Sequence, residues 1–330
     1  MKAIVRKKGG PALRHMEVQD LESPKPGKGE VRVSMKSARI NPVDIDLMKG
    51  MPFIKYQKPQ IGGVDGAGTI VELGPNVQGF AVGDTVFFYR AFTNLGSWAE
   101  EVVVPQDYLA KTPKNISVEQ AGAIALPLLT AYESLQALEP QPGETILIHG
   151  AAGGVGLQAT QLAKSMGLTI IGTAGPEDES ILQKIGIDQW INYRTEDFQT
   201  SLAGKQVDYV FDTIGGEVLK KSIQLSPKKI VSVHYLNPEK MHKTGIRLPS
   251  VLRWIMKQSM NKYNRLAKKH QVQIIGQVTG PNGNHLQLAT ERVEALKFQV
   301  KSYRSLSLDQ VEQTGLADVR PGTILTFNIE

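Results

Sequence analysis

The sequence predicts an α/β fold in which a doubly wound parallel sheet is joined to a separate, β-rich part. Up to about residue 115 the pattern is one of short segments, such as residues 30–36, that alternate between apolar and polar and are separated by Gly and Pro. From Val118 onward, helical and strand patterns follow one another in turn, which is typical of a parallel sheet with right-handed crossovers. A glycine-rich run from His149 to Gly156 joins an uninterrupted apolar strand to a helix.

The individual elements follow from apolar runs for strands and from helical spacing for helices. Helices are predicted over residues 118–137, 156–166, 179–185, 217–224, 250–269 and 286–298. Strands are predicted over residues 145–148, 169–173, 189–191, 209–212, 229–234, 272–278 and 322–329.

Composition bounds the class of protein. A chain of 330 residues with 41% hydrophobic content can bury a large core and is expected to form two domains. The absence of cysteine excludes disulfides, thiolate catalysis and cysteine-bound metals. Neither a signal-peptide pattern nor an apolar run long enough to cross a bilayer is present, so we expect a cytoplasmic protein.

The net charge of +6 comes from one segment, because residues 240–270 contain nine Lys or Arg and no acidic residue. We interpret its helix as a packed surface helix with a solvated basic face, and contact with a membrane surface is the alternative. No motif supports nucleic-acid binding. On the predicted helix, Leu252, Ile255, Met256, Tyr263, Leu266 and Ala267 share one face, whereas Arg253, Lys257, Arg265 and Lys268 share the other.

The glycine-rich run is suited to binding a diphosphate. Glycine lets the backbone turn tightly and approach a ligand, and the following helix offers free N–H groups and a positive dipole end. Ala151 stands where the usual G-x-G-x-x-G pattern has its first glycine, so a purely structural turn is the alternative interpretation.

Several motifs, in order along the chain, resemble the medium-chain dehydrogenase/reductase superfamily in its zinc-free quinone oxidoreductase (zeta-crystallin-like) branch. They are "INPVDIDLMKG", "GGVDGAGTIVELGPNVQGFAVGDTVF", "ALPLLTAYESL", "ETILIHGAAGGVGLQATQLAKSMG", "INYRTEDF" and "VDYVFDTIGGEVL". The resemblance implies a GroES-like catalytic domain from residues 1–122 and 282–330, and a Rossmann-type nucleotide-binding domain from residues 123–281. It also implies a nicotinamide site in the cleft between these domains and a homodimer formed through strand 272–278.

The same resemblance assigns roles to individual residues. Asn41 would face the nicotinamide, Asp44 would support that loop or touch the ribose, and Thr130 would lie near the nicotinamide ribose. For Asp44 a capping role after Pro42 is the alternative, and for Thr130 a hydrogen bond to its own helix. The remaining cofactor contacts would be Gly153, Gly154 and Val155 at the diphosphate, together with Thr173, Tyr193 and Gly215.

Residue types favour NADPH as the cofactor, with NAD not excluded. No carboxylate follows the strand that ends at Thr173, where an acidic residue would hold a ribose 2′-hydroxyl. By resemblance, Tyr193 and Arg194 lie where the branch places groups against the adenosine phosphate. Residues 177–179, all acidic, stand where relatives often have a lysine, and they would repel this phosphate unless they only form the acidic first turn of a helix.

Zinc is not expected. Related zinc enzymes bind their ion through a Cys and through the His of a Gly-His-Glu stretch, which corresponds here to Gly63-Val64-Asp65. We expect Asp65 to form a structural hydrogen bond instead.

The expected substrate is a small molecule, either a quinone or an activated alkene such as an enal or enone. Asp46 and Met48 stand where relatives often have an aromatic and a basic residue, which removes part of a stacking surface for a quinone. We expect His149 to be a packed strand-end residue, and Tyr56 and Tyr89 are candidate donors. The alternatives are an NADP-binding scaffold or sensor with little turnover and an alcohol dehydrogenase-like enzyme.

Overall fold

The computed structural model describes residues 1–7, 13–50, 59–301, 304–317 and 319–327. The chain divides into two compact units. Unit 1 comprises Met1–Leu126, Lys243–Arg247 and Gly280–Glu330, and unit 2 comprises Pro127–His242 and Leu248–Thr279. The short stretch Lys243–Arg247, which the sequence placed with the nucleotide-binding part, therefore groups with unit 1.

The elements are numbered along the chain. Up to residue 138 they are β1 (Lys2–Arg6), β2 (Met16–Asp20), β3 (Glu30–Arg39), α1 (Pro42–Lys49), β4 (Asp65–Leu73), β5 (Thr85–Tyr89), β6 (Glu101–Pro105), β7 (Leu109–Lys111), α2 (Val118–Gly122) and α3 (Ala125–Leu138). Beyond it they are β8 (Thr145–His149), α4 (Gly154–Ser165), β9 (Thr169–Ala174), α5 (Glu179–Ile185), β10 (Gln189–Asn192), α6 (Phe198–Ser201), β11 (Tyr209–Asp212), α7 (Gly216–Gln224), β12 (Lys229–Ser232), α8 (Ser250–His270), β13 (Gln273–Gly276), α9 (Gly283–Glu294), β14 (Ser305–Ser307), α10 (Leu308–Thr314) and β15 (Ile324–Thr326).

Unit 1 is built on a seven-stranded sheet in the order β14-β15-β3-β4-β5-β7, with β6 paired to β3. Strand β3 shows why its sequence forms a half-buried strand, since Val31, Val33 and Met35 point into the core and the residues between them are partly exposed. This alternation confirms the strand predicted over residues 30–36.

Unit 2 contains a six-stranded parallel sheet in the order β10-β9-β8-β11-β12-β13, which confirms the predicted doubly wound sheet. The strand order reverses between β8 and β11, so a crevice is expected outside the carboxyl ends of these two strands. Strand β13 is the outermost strand at one edge of this sheet in the described part of the chain. The homodimer contact expected there stays a prediction.

The predicted continuous helix over residues 118–137 is wrong, because the chain forms two helices, α2 and α3. The break at Ala123 and Ile124 has a physical cause in Pro127. In an unbroken helix this proline would offer no N–H, and its ring would collide with the carbonyl group of Ala123. A new helix that starts at Ala125 places Pro127 in its first turn, where proline is tolerated.

Other differences concern element ends. The helix predicted over residues 286–298 begins earlier, at Gly283, because the Asn282 side chain caps it by accepting the N–H of His285 at 2.9 Å. The final strand is shorter than predicted, and residues 328–330 lie outside the described ones. Among the described helices, none is both long and apolar enough to span a membrane.

Candidate functional site

The turn after β8 is shaped by its glycines. Gly150 has a φ of +65°, which is accessible mainly to glycine, and its carbonyl oxygen packs directly against Gly156. A Cβ at Gly156 would overlap this oxygen, so the glycine lets helix α4 pack tightly onto the turn. Ala151, which replaces the first glycine of the G-x-G-x-x-G pattern, is fully buried.

The start of α4 offers unpaired backbone donors. Gly153 is the N-cap residue, has no side chain to cap the helix, and donates its own N–H to the Gly150 carbonyl oxygen at 2.9 Å, so the free donors are those of Gly154 and Val155 in the first turn. The first N–H groups of a helix have no acceptor within the helix, and they combine with the helix dipole to favour an anion. These residues therefore fit the diphosphate of a dinucleotide.

A cavity of about 570 Å³ lies beside this turn, within unit 2. Its volume is in the range that small-molecule sites occupy. Three of the predicted cofactor residues, Gly153, Thr173 and Tyr193, line it together. Gly154 and Val155 are at the helix start next to Gly153 but do not line the cavity itself.

His149 lines the cavity as a fully packed residue, as expected. Its Nδ1 lies 3.2 Å from Thr173 Oγ1 and its Nε2 lies 2.9 Å from Ser222 Oγ. Its ring packs in a T-shaped arrangement with that of Phe198, with the ring centres 4.6 Å apart. Burial lowers the pKa of His149 to about 4, so the imidazole is neutral at physiological pH. A neutral ring held by two hydroxyls is a packing element of the cavity wall.

Glu177, which lines the cavity, forms an ion pair with Arg194. Arg194 Nη2 lies 2.6 Å from Glu177 Oε1, and the Arg194 guanidinium stands 5.6 Å from the centre of the Tyr193 ring. The Glu177 carboxylate also lies against Gly175, since a Cβ there would be 2.6 Å from both of its oxygens. A phosphate reaching Glu177 would meet a cation that is already paired with a carboxylate.

Gly215 has a structural role in the turn between β11 and α7. Its N–H donates to Asp212 Oδ1 at 2.8 Å, its φ is +75°, and a Cβ would be 2.6 Å from the His234 Cβ. This N–H is therefore not available to a cofactor, and the predicted contact between Gly215 and the cofactor stays a prediction. The neighbouring Ile214, which is half-exposed, lines the cavity instead. Sequence reasoning missed Ile214, although its place just after the carboxyl end of β11 is a signal that could have found it.

Thr130 lies on α3 and is nearly buried. Within the described part of the chain its hydroxyl forms no hydrogen bond, so the alternative of a bond to its own helix is not seen. This leaves the hydroxyl available to a ligand.

Unit 1 contains a separate buried cluster of one amide and two carboxyl groups. Asn41 Nδ2 donates to Asp44 Oδ2 at 3.1 Å and to Asp65 Oδ1 at 2.8 Å. The backbone N–H of Asn41 donates to Asp44 Oδ2 at 2.7 Å, and that of Leu126 to Asp65 Oδ2 at 3.0 Å. Asp65 thus forms the structural hydrogen bonds expected of it, and Asp44 caps helix α1.

Burial dominates the acid–base behaviour of this cluster. Desolvation and the charge of Asp65 raise the pKa of Asp44 well above its ordinary value. Desolvation raises the pKa of Asp65 to about 7, against the opposing effects of the Leu126 N–H and the Asn41 amide. Since both N–H bonds of the Asn41 amide are engaged, only its oxygen is left to interact with a ligand, and it can only accept a hydrogen bond.

The other sequence-based candidates are placed as follows. In the described residues no group of three or more His, Cys, Asp or Glu side chains is arranged to hold a metal ion. Tyr89 and Met48 are buried, and Asp46 is exposed and pairs with Lys49 at 2.8 Å. Tyr56 lies outside the described residues.

Comparisons with known proteins give consistent matches. Residues 27–114 match the family model of the alcohol dehydrogenase GroES-like domain, and residues 154–233 match that of the zinc-binding dehydrogenase. The 2-haloacrylate reductase of Burkholderia sp is 31% identical over 245 residues, which are 71% of this chain and 72% of that protein. The quinone oxidoreductase of Homo sapiens is 32% identical over 66% of this chain and 67% of its own. The solved structure of the quinone oxidoreductase from Coxiella burnetii has a TM-score of 0.78 at 28% identity and covers 100% of this chain and 99% of that one.

Proposed function

The chain belongs to the medium-chain dehydrogenase/reductase superfamily, in its quinone oxidoreductase branch, and from this premise we propose a zinc-independent, NADPH-dependent reductase of quinones or activated alkenes. The observation that supports this most directly is the row of free N–H groups at the start of α4, beside a cavity at the switch point of a parallel sheet. This combination suits the diphosphate of a dinucleotide.

The residues of unit 2 would bind and orient the cofactor. Gly154 and Val155 would hold the diphosphate on backbone N–H groups, Gly153 would let it approach closely, and Thr173 and Tyr193 would contact the adenosine portion. When bound, the reduced nicotinamide supplies a hydride, and reactions of this kind depend on orientation by the protein. The second hydrogen would arrive as a proton from water. In unit 1, Asp44 and Asp65 would act as positioning residues, because they hold the Asn41 side chain in one orientation.

The proposed substrate class rests on what two relatives have in common. A haloacrylate and a quinone, the molecules named for those relatives, both contain an electron-poor carbon–carbon double bond conjugated to a carbonyl or carboxyl group. Neither Met48, which is buried, nor Asp46, which is an exposed carboxylate, offers a flat surface for a ring. Small activated alkenes therefore belong in the substrate panel together with quinones.

Turnover is tested by following NADPH absorbance with a naphthoquinone, a 2-haloacrylate, an enal and an enone. We expect oxidation of NADPH with at least one of them, unchanged by a chelator such as EDTA because no metal takes part. If NADPH binds but none is reduced, the chain acts as an NADP-binding scaffold or sensor. Oxidation of simple alcohols that stops with EDTA would instead indicate an alcohol dehydrogenase-like enzyme.

The ion pair between Glu177 and Arg194 predicts how the cofactor preference can be shifted. Glu177→Gln is expected to tighten NADPH binding about threefold with little effect on NADH, because one charge–charge repulsion against the 2′-phosphate is removed at a half-exposed site, where such an interaction is worth less than about 1 kcal/mol. Arg194→Gln should weaken NADPH selectively. Binding is measured by calorimetric titration with both cofactors.

The matched control for this pair is Glu312→Gln, which removes the carboxylate of an exposed ion pair with Lys2 in unit 1. It should leave both affinities unchanged. If Glu177→Gln alters NADPH and NADH binding equally, the 2′-phosphate does not reach Glu177.

A further inference from the structure

The outward side of helix α8 begins with large apolar side chains that are largely exposed. Val251, Trp254 and Ile255 are 70%, 61% and 50% exposed, respectively. The opposite side of the helix holds it on unit 2 through Met260, Tyr263 and Ala267, which are buried. The sequence placed Ile255 with the packed residues, and this part of the prediction is wrong.

The same outward side becomes basic further along the helix. At about 100° per residue, Lys262, Arg265 and Lys269 fall within the same arc of roughly 100° as Val251, Trp254 and Ile255. From Val251 to Lys269 the helix rises roughly 27 Å. One exposed surface thus has an apolar patch at its start and a basic patch at its end; we call it the α8 face.

Of the three cations of the α8 face, Lys262 interacts with the nearby Glu217 and lies 4.9 Å from the centre of the Tyr263 ring, whereas Arg265 and Lys269 have no ion-pair partner among the described residues. The side chain of Glu239 lies 2.6 Å from Lys257 and 3.5 Å from Arg253, and both of these cations lie off the α8 face. In the described part of the chain no carboxylate is within ion-pair distance of Arg265 or Lys269. Helix α8 itself contains no acidic residue.

We propose that the α8 face docks on an anionic phospholipid surface. Trp254, Ile255 and Val251 would enter the headgroup boundary, and Lys262, Arg265 and Lys269 would contact lipid phosphates. A helix that lies in the plane of a membrane needs both features on one face, namely apolar side chains of which an aromatic one is typical, and cations. The charge of the face is complementary to anionic lipids, and docking would bring the protein to where lipophilic molecules are concentrated.

The apolar patch favours a lipid surface over a nucleic acid or a second copy of the chain as the partner of the α8 face. A nucleic acid would use the cations, but the aliphatic side chains of Val251 and Ile255 provide no stacking surface for bases. A second copy of the chain would bring a like-charged patch to the same surface, which is unfavourable.

Vesicle sedimentation tests the proposal with the full chain. The wild-type protein should bind vesicles of phosphatidylcholine with roughly 30% phosphatidylglycerol, and should bind pure phosphatidylcholine much more weakly. Lys262→Gln/Arg265→Gln/Lys269→Gln should lower the partition coefficient at least about tenfold. Trp254→Ser/Ile255→Ser should lower it by a similar factor, and in the wild type the Trp254 emission should shift to the blue on binding.

The charge-matched control is Lys25→Gln/Lys28→Gln/Lys184→Gln, which removes three exposed lysines elsewhere. It should retain binding. No binding to anionic vesicles, or equal loss in this control, would overturn the proposal. The proposal would also be overturned if Trp254→Ser/Ile255→Ser abolished a dimer in sedimentation velocity without changing vesicle binding. The same holds if the protein bound duplex DNA in a way that depends on the cations alone.

Discussion

A Gly153→Val variant is expected to fold and to lose at least about 100-fold in affinity for NADPH. The φ of −73° at Gly153 is accessible to valine, and a Cβ there would approach only the Gly150 carbonyl oxygen, at 3.2 Å. The added side chain would instead project into the cavity and separate the diphosphate from the N–H groups of α4. Loss of two hydrogen bonds to a charged group, each worth roughly 1.5–3 kcal/mol, accounts for a change of this size.

The measurement is a calorimetric titration of NADPH, with a thermal melt to check the fold. Lys164→Val, at the far end of the same helix, is the matched control and should bind normally. Gly156→Ala should behave differently from Gly153→Val, because its Cβ overlaps the Gly150 backbone and lowers the melting temperature. Normal affinity in a folded Gly153→Val protein would show that the diphosphate does not bind at this turn.

The parts of the fold that sequence reasoning predicted well are those with strong local signals. Strands such as β8 and β11 are buried on both faces and read as continuous apolar runs, and glycine-rich punctuation marked the turn at Gly150. The break between α2 and α3 was missed although Pro127 was visible, because the apolar pattern continues through the break. Short helices such as α6 and α10 lack enough turns to show a periodic pattern.

For the candidate site, residue types indicated which groups matter but not how they pair. Glu177 and Arg194 were both identified, yet only the three-dimensional structure joins them at 2.6 Å. Likewise, Asn41 and Asp65 are 24 residues apart, and the hydrogen bond between them, which occupies the second N–H of the Asn41 amide beside the local bond to Asp44, depends on tertiary packing. Ile255 illustrates a different limit of sequence reasoning. Its apolar character predicted burial, but the side chain is half-exposed, because the sequence does not show which elements pack against it.

The buried titratable groups predict that the two units respond to acid in opposite directions. Between pH 7 and pH 5, acidification should stabilise unit 1 and destabilise unit 2. In unit 1 the pKa of Asp65 rises from 3.8 to about 7 on folding, so in this range the folded state binds more protons than the unfolded state. The free energy of unfolding therefore increases as pH falls, and Asp44 acts in the same direction.

In unit 2 the sign is reversed. The pKa of His149 falls from 6.5 to about 4 on folding, so below pH 6.5 the unfolded state binds the additional proton and the free energy of unfolding decreases. Each effect amounts to about 2 kcal/mol over the range from pH 7 to pH 5, at 1.36 kcal/mol per pKa unit. Exposed carboxylates with lowered pKa, such as Glu17 and Asp197, contribute mainly below this range.

Native-state hydrogen exchange resolves the two units, because amides of β3 and β4 report on unit 1 and amides of β8 and β11 report on unit 2. After correction for intrinsic exchange, protection should rise in unit 1 and fall in unit 2 between pH 7 and pH 5. His149→Gln should abolish the fall in unit 2 and leave unit 1 unchanged, whereas His242→Gln, at an exposed position, should change neither. If protection changed in the same direction in both units, the prediction would be contradicted. It would mean that folding does not raise the pKa of Asp65 while lowering that of His149.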